Sequence, residues 1–233
     1  WDVAIATTQQ LIISSQNQKR AFMQQLLTGK TRFPGFSGDW GKITIKEMGK
    51  IISGGTPDTT QSDYWGGDVL WMTPTDVTAL RTRFIVGTKR KITEEGVRSS
   101  SATIAPSGSL LVCTRATVGE TSISTSDITT NQGFKTLIPS NRFDVNFLYY
   151  LFDYHKSTFK KYACGSTFLE LSKKDFERLS FNCPDLKEQQ KISAALSVVN
   201  SEVEALQQKM DFLIQEKKAL MQQLLTGKRR VKT

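Results

Sequence analysis

An internal repeat constrains this chain more than any other feature of its sequence. The segment from Met23 to Lys30, which we call the first copy, returns unchanged from Met221 to Lys228, the second copy. Each copy ends on Gly-Lys, and glycine is the residue type that most often closes a helix in the left-handed conformation. The repeat therefore predicts two copies of one helix end, placed on either side of a single intervening domain.

Apolar residues upstream of the second copy follow a heptad pattern. Alternating gaps of three and four residues connect Ile192 to Leu224, with one lysine as the only break. A seam of period 3.5 is typical of helices that pack lengthwise on one another. The repeat offset carries the same seam back to the first helix, where Thr8 and Ser15 weaken it. The sequence thus assigns helix pairing to Ile5, Ile12, Phe22, Leu26, Leu196, Val203, Leu206, Met210, Leu213, Leu220 and Leu224.

The two helices differ in how they begin. Asp185 and Glu188 have the spacing of a capping box, which predicts a helix start near Leu186 and a length of about 60 Å. The first helix has no start signal, because Trp1 enters the seam at the position equivalent to Val199. This suggests a chain cut from something longer. It also predicts that residues 192 to 198 lack a partner within the chain and favour the pairing of two chains.

Composition sets broad limits on function. The chain has 233 residues and a net charge of +9, which suits a polyanionic partner. Its three cysteines, Cys113, Cys164 and Cys183, are far apart and odd in number, which argues against a disulfide framework or a zinc site and favours a cytoplasmic protein. No apolar run approaches the length of a transmembrane helix, so we expect no membrane association.

The middle of the chain is typical of a mixed α/β domain. Residues 69–73, 109–114 and 134–138 are rich in strand-forming side chains and are separated by Gly, Pro, Ser and Asp. Helices are predicted from Val145 to about Tyr162, capped by Asp144, and after Ser172. The fold class is therefore α+β. We expect a first helix over 1–30, a linker over 31–40, one domain over 41–183, a second helix over 185–227 and a basic tail over 228–233.

Catalytic motifs are largely missing from the sequence. His155 is the only histidine, and its aromatic neighbours indicate a packing or surface role. Gly29-Lys30-Thr31 resembles the end of a phosphate-binding loop, but Gln24 stands where that loop requires glycine. No cofactor loop or catalytic motif of an adenine methyltransferase is present either. We therefore predict no catalytic residue, no metal site and no cofactor.

Several short motifs, in order, resemble one protein family. The motifs are Ser53-Gly-Gly-Thr-Pro57, Tyr64-Trp-Gly-Gly-Asp68, Arg115-Ala-Thr-Val-Gly119, Thr130-Asn-Gln-Gly-Phe134, Pro184-Asp-Leu-Lys-Glu-Gln-Gln-Lys-Ile192 and the terminal Leu-Leu-Thr-Gly-Lys. Together they resemble the specificity subunits of type I restriction and modification enzymes. The resemblance implies a target recognition domain flanked by two long antiparallel coiled-coil helices that dock modification subunits. Such subunits carry two recognition domains, whereas this chain has one, so it resembles either the C-terminal half of such a protein, beginning inside the central helix, or a naturally shortened half subunit.

The residues that could contact DNA fall into several groups, each with an ordinary structural alternative. Arginine and lysine pair with phosphates or guanine, and asparagine and glutamine can pair with adenine. The glycine loop at 54–56 could offer backbone donors or simply turn the chain. Arg115 could reach a groove or form a structural ion pair, and the pair 131–132 could read bases or cap a turn. The candidates are Gly54, Gly55, Thr56, Arg81, Arg83, Lys89, Arg90, Lys91, Arg115, Asn131, Gln132, Ser166, Thr167, Lys173 and Lys174.

These observations favour a non-catalytic subunit that reads one half of a two-part DNA target. Its expected partners are double-stranded DNA, type I methyltransferase (modification) subunits, a restriction subunit, and either a second copy of the chain or the other half of a specificity subunit. Because motif residues are shared across a family, we expect base-reading residues in less distinctive stretches such as 78 to 88. The alternatives are a non-specific nucleic-acid-binding coiled-coil adaptor and an autonomous nuclease or methyltransferase.

Overall fold

The computed structural model describes residues 1–165, 169–226 and 228. The predictions for Ser166, Thr167, Gly227 and the tail beyond Lys228 lie outside these residues. The chain divides into two units, one formed by residues 1–24 with 194–233 and the other by residues 25–193. The first unit is built from two helices, and the second contains all of the strands.

The elements have the following bounds in chain order. They are α1 (Asp2–Leu27), β1 (Gly41–Thr44), α2 (Ile45–Met48), β2 (Gly49–Ser53), β3 (Trp65–Met72), α3 (Pro74–Ala79), β4 (Phe84–Ile85), β5 (Arg90–Ile92), α4 (Glu94–Arg98), β6 (Leu110–Cys113), β7 (Thr121–Ser124), β8 (Thr129–Thr130), β9 (Phe134–Pro139), α5 (Val145–Tyr154), α6 (Lys156–Tyr162), α7 (Lys173–Arg178), β10 (Ser180–Cys183) and α8 (Leu186–Leu225). The predicted strands and the helix start at Leu186 are confirmed. Gly29 has φ +69°, the predicted left-handed conformation.

Polar contacts show that α1 and α8 are antiparallel. Lys19 Nζ donates to Asn200 Oδ1 at 2.8 Å, and Lys217 pairs with Asp2. The two contacts are separated by the same number of residues on each helix, from Asp2 to Lys19 on α1 and from Asn200 to Lys217 on α8. This single register places the end of α1 beside the start of α8. It leaves the last two turns of α8, beyond Lys217, with no residue of α1 alongside.

The apolar seam between the helices is present, with two errors in its assignment, at Phe22 and Leu224. Among the predicted residues, Ile12, Leu26, Leu196, Val203 and Met210 are buried, while Ile5, Leu206, Leu213 and Leu220 are half-buried. Phe22 is 37% exposed, and Met23 is buried in its place at 4%. A straight helix has 3.6 residues per turn, so its buried face drifts away from a strict heptad pattern. Leu224, also 37% exposed, lies beyond the end of the paired region.

The expectation that residues 192 to 198 lack a partner was wrong. Ile192 and Leu196 are 1% and 0% exposed. The antiparallel register explains this burial, because it brings the start of α8 level with the last turn of α1. The unpaired apolar residues lie at the opposite end of α8, where Met221 is 50% and Leu225 is 83% exposed.

Three sheets form the framework of the unit from 25 to 193. The largest has the strand order β2-β9-β6-β7-β4, in which all pairs are antiparallel except β7 with β4. A three-stranded sheet has the order β5-β3-β8, and β1 pairs with β10. All four residues of β6 are buried, and Leu110 pairs with Leu137 of β9. The core of this unit therefore lies along β6 and β9.

The helices of this unit have the predicted caps. Asp144 accepts a hydrogen bond from Phe147 N at 2.8 Å, and Ser172 accepts one from Asp175 N at 3.1 Å. The single helix predicted from 145 to 162 is instead two helices, α5 and α6, which meet at His155. The His155 ring packs on Phe181 with centroids 4.5 Å apart. The aromatic packing predicted for this histidine is thus confirmed, and the helix bends where it packs.

A buried carboxylate joins the linker to the start of α8. Glu188 is 1% exposed, and Arg32 grips it in bidentate fashion with donor distances of 2.8 and 2.6 Å. Trp40 Nε1 donates to the same carboxylate at 3.2 Å. A carboxylate can be buried only when such donors compensate for lost water. In the described part of the chain, no helix is long and apolar enough to cross a membrane.

The two copies of the repeat provide a matched test of the helix pairing. Met23→Ala should lower the free energy of unfolding by about 2 to 5 kcal/mol, because it empties a buried site. Met221→Ala, in an identical local sequence but exposed, should change it by less than about 0.5 kcal/mol. Urea denaturation at low protein concentration measures both. Equal losses for the two variants would contradict the antiparallel register.

Candidate nucleic-acid interface

Candidate residues from three separate segments meet where β9 begins. Thr56 Oγ1 donates a hydrogen bond to Gln132 Oε1. The neighbouring Gly133 lies against Arg115, since a methyl group at Gly133 would be 3.6 Å from Cβ of Arg115. Thr56, Gln132 and Arg115 are thus brought together by the pairing of β9 with β2 and β6. Gln132 is exposed, so its amide nitrogen can reach a ligand.

The glycines at 54 and 55 have a structural role that argues against phosphate binding through their backbone. Both are buried, and both N–H groups are already used: Gly54 N donates to Phe134 O at 3.4 Å and Gly55 N to Thr130 O at 2.9 Å. A side chain at Gly54 would collide with Asn131 O, and one at Gly55 with Ala102 N. The ordinary alternative, glycine required by close chain approach, therefore explains this motif.

The side chain of Asn131 caps the turn in which it lies. Its Oδ1 accepts a hydrogen bond from Gly133 N at 3.0 Å, and its backbone N–H donates to Met72 O at 2.9 Å. This is the turn-capping alternative foreseen for the 131–132 pair. Of the two amides, Gln132 is the better placed to contact DNA.

Arg115 forms an ion pair that does not satisfy all of its donors. Its Nη2 lies 2.8 Å from Glu170 Oε1, and the two side chains are 42% and 38% exposed. Within the described ranges, its Nε is buried and has no hydrogen-bond partner. The next residue, Ala116, has φ +59°, a left-handed conformation that is uncommon for alanine. The strained turn at Ala116 therefore holds Arg115 at the exposed side of the group that it forms with Thr56 and Gln132.

Lys135 is a functional candidate that sequence reasoning missed. It lies on β9 opposite Ser53 and Val112 and is only 6% exposed. Burial lowers the pKa of its ammonium group below the ordinary value, and nearby Glu170 acts against this shift. The signal in the sequence was a single charged residue in the mainly apolar strand β9. Such a lysine is worth noting because a fully buried lysine is rare unless it is paired.

The basic cluster from 81 to 91 divides into exposed and structural members. Arg81, Lys89, Arg90 and Lys91 are exposed. Arg83 is half-buried, donates from Nε to Asn146 Oδ1 at 3.2 Å, and has its guanidinium carbon 4.5 Å from the centre of the Phe84 ring. These contacts indicate that Arg83 supports the fold. Lys89, Arg90 and Lys91 are the exposed members whose charge can face a phosphate, and Arg81 is exposed beside them.

Aromatic rings hold Arg90 in place. Its guanidinium carbon lies 3.7 Å from the centre of the Trp65 ring, which in turn meets Trp71 edge-on at 5.0 Å. Trp71 Nε1 donates to Gly55 O at 2.9 Å. The packing of Arg90 is therefore continuous with the glycine motif, and a stacked guanidinium keeps its edge donors free.

Two further features complete the candidate surface. Asp76 Oδ1 accepts from Lys89 N at 2.9 Å, which fixes the loop before β5 to helix α3. Lys173 and Lys174 are exposed at the start of α7, where Lys173 lies 3.7 Å from Glu177. Among the described residues there is no group of three or more His, Cys, Asp or Glu side chains that could hold a metal ion.

Comparison with known protein families accounts for this arrangement. The family described as "Type I restriction modification DNA specificity domain" matches residues 37–212, which is most of the chain and includes every strand. The chain belongs to this family. The match covers residues 37–193 of the second unit and about the first two thirds of α8, so the specificity domain of this chain includes the helix start anchored by Glu188.

Individual relatives agree with this assignment. The MjaIX specificity subunit of Methanocaldococcus jannaschii is 37% identical over 168 residues, which are 71% of this chain and 39% of the relative. The EcoR124I/EcoR124II specificity subunit of Escherichia coli is 27% identical over 72% of this chain and 44% of the relative. The match thus spans less than half the length of these curated relatives.

Solved structures share the fold. The HsdS subunit from Thermoanaerobacter tengcongensis aligns with a TM-score of 0.64 at 22% identity, covering 94% of this chain and 54% of that one. The S subunit of the M. genitalium type I restriction-modification system aligns with a TM-score of 0.68 at 13% identity, covering 94% and 56%. The mixed domain with long flanking helices is therefore the fold of this family, as the sequence predicted.

The structural role of the glycine motif in this specificity domain can be tested directly. Gly55→Ala should reduce the free energy of unfolding by about 1 to 3 kcal/mol, because the new methyl group meets the backbone at Ala102. Gly38→Ala is the control: no atom lies within 4 Å of its new methyl group, and we expect a change below about 0.5 kcal/mol. Thermal denaturation measures both. A Gly55→Ala protein of unchanged stability with weakened DNA binding would instead favour direct phosphate contact.

Proposed function

We propose that this chain is the non-catalytic part of a type I restriction-modification complex that recognises a specific sequence in double-stranded DNA. The observation that carries the proposal is the family match over residues 37–212. Residues 41–183 would be the target recognition domain and would read one half of a bipartite target. Such a complex acts on DNA in the cytoplasm, and the free thiols of the chain suit that compartment.

The distribution of side chains supports DNA as the ligand. Exposed cations at Arg81, Lys89, Arg90 and Lys91 can neutralise phosphates, which supplies affinity without sequence preference. Gln132 carries the amide donor and acceptor that can distinguish bases in the major groove. We propose that the cations position the duplex and that Gln132 contributes to reading it, together with residues of the 78 to 88 stretch.

The helices would connect this domain to its partners. The first copy of the repeat is buried at Met23 and Leu27, level with the start of α8, whereas the equivalent Met221 and Leu225 are exposed. An identical sequence that is buried once and exposed once favours a second, similar partner for the exposed copy. We propose that this partner is the helix of another specificity half, from a second copy of the chain or from another polypeptide. Modification subunits, and through them a restriction subunit, would dock on the same helical unit.

The recognition function is tested by selecting bound duplexes from a random library. A single preferred half-site, bound well above scrambled duplex and RNA, is the expected result. Equal binding of RNA and scrambled DNA would favour the alternative of a non-specific adaptor. Metal-dependent cleavage or methyl transfer by the lone chain would favour the enzyme alternative.

Arg90 provides a test of the phosphate contacts. Arg90→Ala should reduce the slope of log affinity against log salt by about one for cognate and scrambled duplexes alike. Loss of the stacking of Arg90 on Trp65 should also lower the free energy of unfolding by about 0.5 to 1 kcal/mol. Arg98→Ala is the control, because Arg98 is exposed but pairs with Glu95 at 3.1 Å. An unchanged slope for Arg90→Ala would remove this residue from the interface.

The role of the second copy is tested through assembly. Isolated chains should form weak dimers at roughly tens of micromolar, seen by light scattering as a particle larger than 26.1 kDa. Leu225→Asp should abolish the dimer, because it buries an unpaired charge. Val198→Asp, at a position of the same helix that is 72% exposed, should leave it intact. A dimer would select an inverted repeat. Only monomers, together with a target lacking such a repeat, would show that a different polypeptide supplies the second half.

A further inference from the structure

Lys135 is the most unusual charged residue in the described part of the chain. It lies on β9, between β2 and β6, and 6% of its surface is exposed. Its side chain forms neither a hydrogen bond nor an ion pair with the described residues. Partial desolvation of an ammonium group without such compensation opposes folding. A hydrophobic side chain at this position would avoid that cost, so the lysine has a reason other than stability to be there.

Arg115, a neighbour of Lys135, also has a polar group that lacks a partner among the described residues. Arg115 approaches from the turn after β6, where Thr114 N donates to Gly133 O at 2.7 Å. Its Nε is buried without a partner, and the strained Ala116 holds it in position. Backbone strain of this kind persists where the surrounding structure enforces it, and it is concentrated at functional sites.

Positive charge is in excess in this cluster. Arg115, Lys173 and Glu170 are the charged groups that act on Lys135. Glu170 is paired with Arg115, and Lys173 faces Glu177. Neither carboxylate forms an ion pair with Lys135 among the described residues. The Arg115–Glu170 pair is partly exposed and forms the outer side of the cluster, while Lys135 forms its inner side.

We propose that Arg115 and Lys135 bind one phosphate group of the DNA backbone, and that Glu170 occupies this position in the free protein. The inference rests on the proposed function and extends it to a particular contact. A phosphate offers several acceptor oxygens in the geometry that a guanidinium matches, so it can replace the Glu170 carboxylate against Arg115. Its charge also compensates the ammonium group of Lys135, with which Glu170 forms no ion pair.

Lys135→Met separates this role from a purely structural one. Methionine keeps the unbranched side chain as far as the ε position and removes the charged ammonium group. If Lys135 serves DNA binding, the variant should melt at a higher temperature than the parent while its DNA affinity falls. If Lys135 is structural, the variant should melt at a lower temperature. The two explanations therefore predict opposite shifts in the same measurement.

The binding experiment is a salt titration with cognate and scrambled duplexes. Lys135→Met should weaken both roughly tenfold at about 0.1 M salt and reduce the salt slope by about one. Lys50→Met is the matched control: Lys50 is exposed on the neighbouring strand β2, and we expect it to change neither affinity nor slope. Glu170→Gln should tighten binding to both duplexes, since the competing carboxylate is gone.

Each outcome decides the inference. A lower melting temperature for Lys135→Met, or an unchanged salt slope while the parent chain still binds DNA, overturns the phosphate site and leaves the proposed function standing. Failure of the parent chain to bind any duplex overturns both. If inorganic phosphate raises the melting temperature of the parent but not of the variant, and the DNA slope is unchanged, the site binds free phosphate and the DNA assignment is wrong.

Discussion

The buried carboxylate of Glu188 is the interaction on which the organisation of this chain depends. With 1% of its surface exposed, it requires the bidentate grip of Arg32 and the indole donor of Trp40. These contacts fix the residues after α1 to the first turn of α8. Within the unit of residues 25–193, the start of α8 is thereby held beside the end of α1.

The motifs by which the family is recognised mainly hold the backbone in place. Gly54 and Gly55 permit close chain approach, and Asn131 closes a turn. Gln189, in the motif at the start of α8, donates to Pro184 O at 2.9 Å and accepts from Asp144 N at 3.0 Å. Side chains with free donors, such as Gln132, lie beside this framework. Under the proposed function, a domain built in this way can change its DNA target by exchanging exposed side chains while its backbone is preserved.

Two places in the chain leave a physical requirement unmet. Arg115 has a buried Nε without an acceptor, and Lys135 is a largely buried cation without an ion pair among the described residues. Met221 and Leu225 expose apolar surface whose equivalents, Met23 and Leu27, are buried. An anion satisfies the first requirement and an apolar helix satisfies the second. These are the two kinds of partner expected of a DNA-recognition subunit, and each place is distinguished by what the isolated chain fails to supply.

The sequence by itself determined the elements whose signals are local. The heptad seam, the caps at Asp144, Ser172 and Asp185, and the left-handed Gly29 depend on residues close along the chain, so they could be predicted together with the family. Only the tertiary structure decided which seam residues are buried, because the antiparallel register brings Leu196 level with Met23. It also revealed that Lys135 is largely buried and that the N–H groups of Gly54 and Gly55 already donate hydrogen bonds within the protein. Burial and hydrogen-bond use arise from contacts between distant segments, which local patterns do not record.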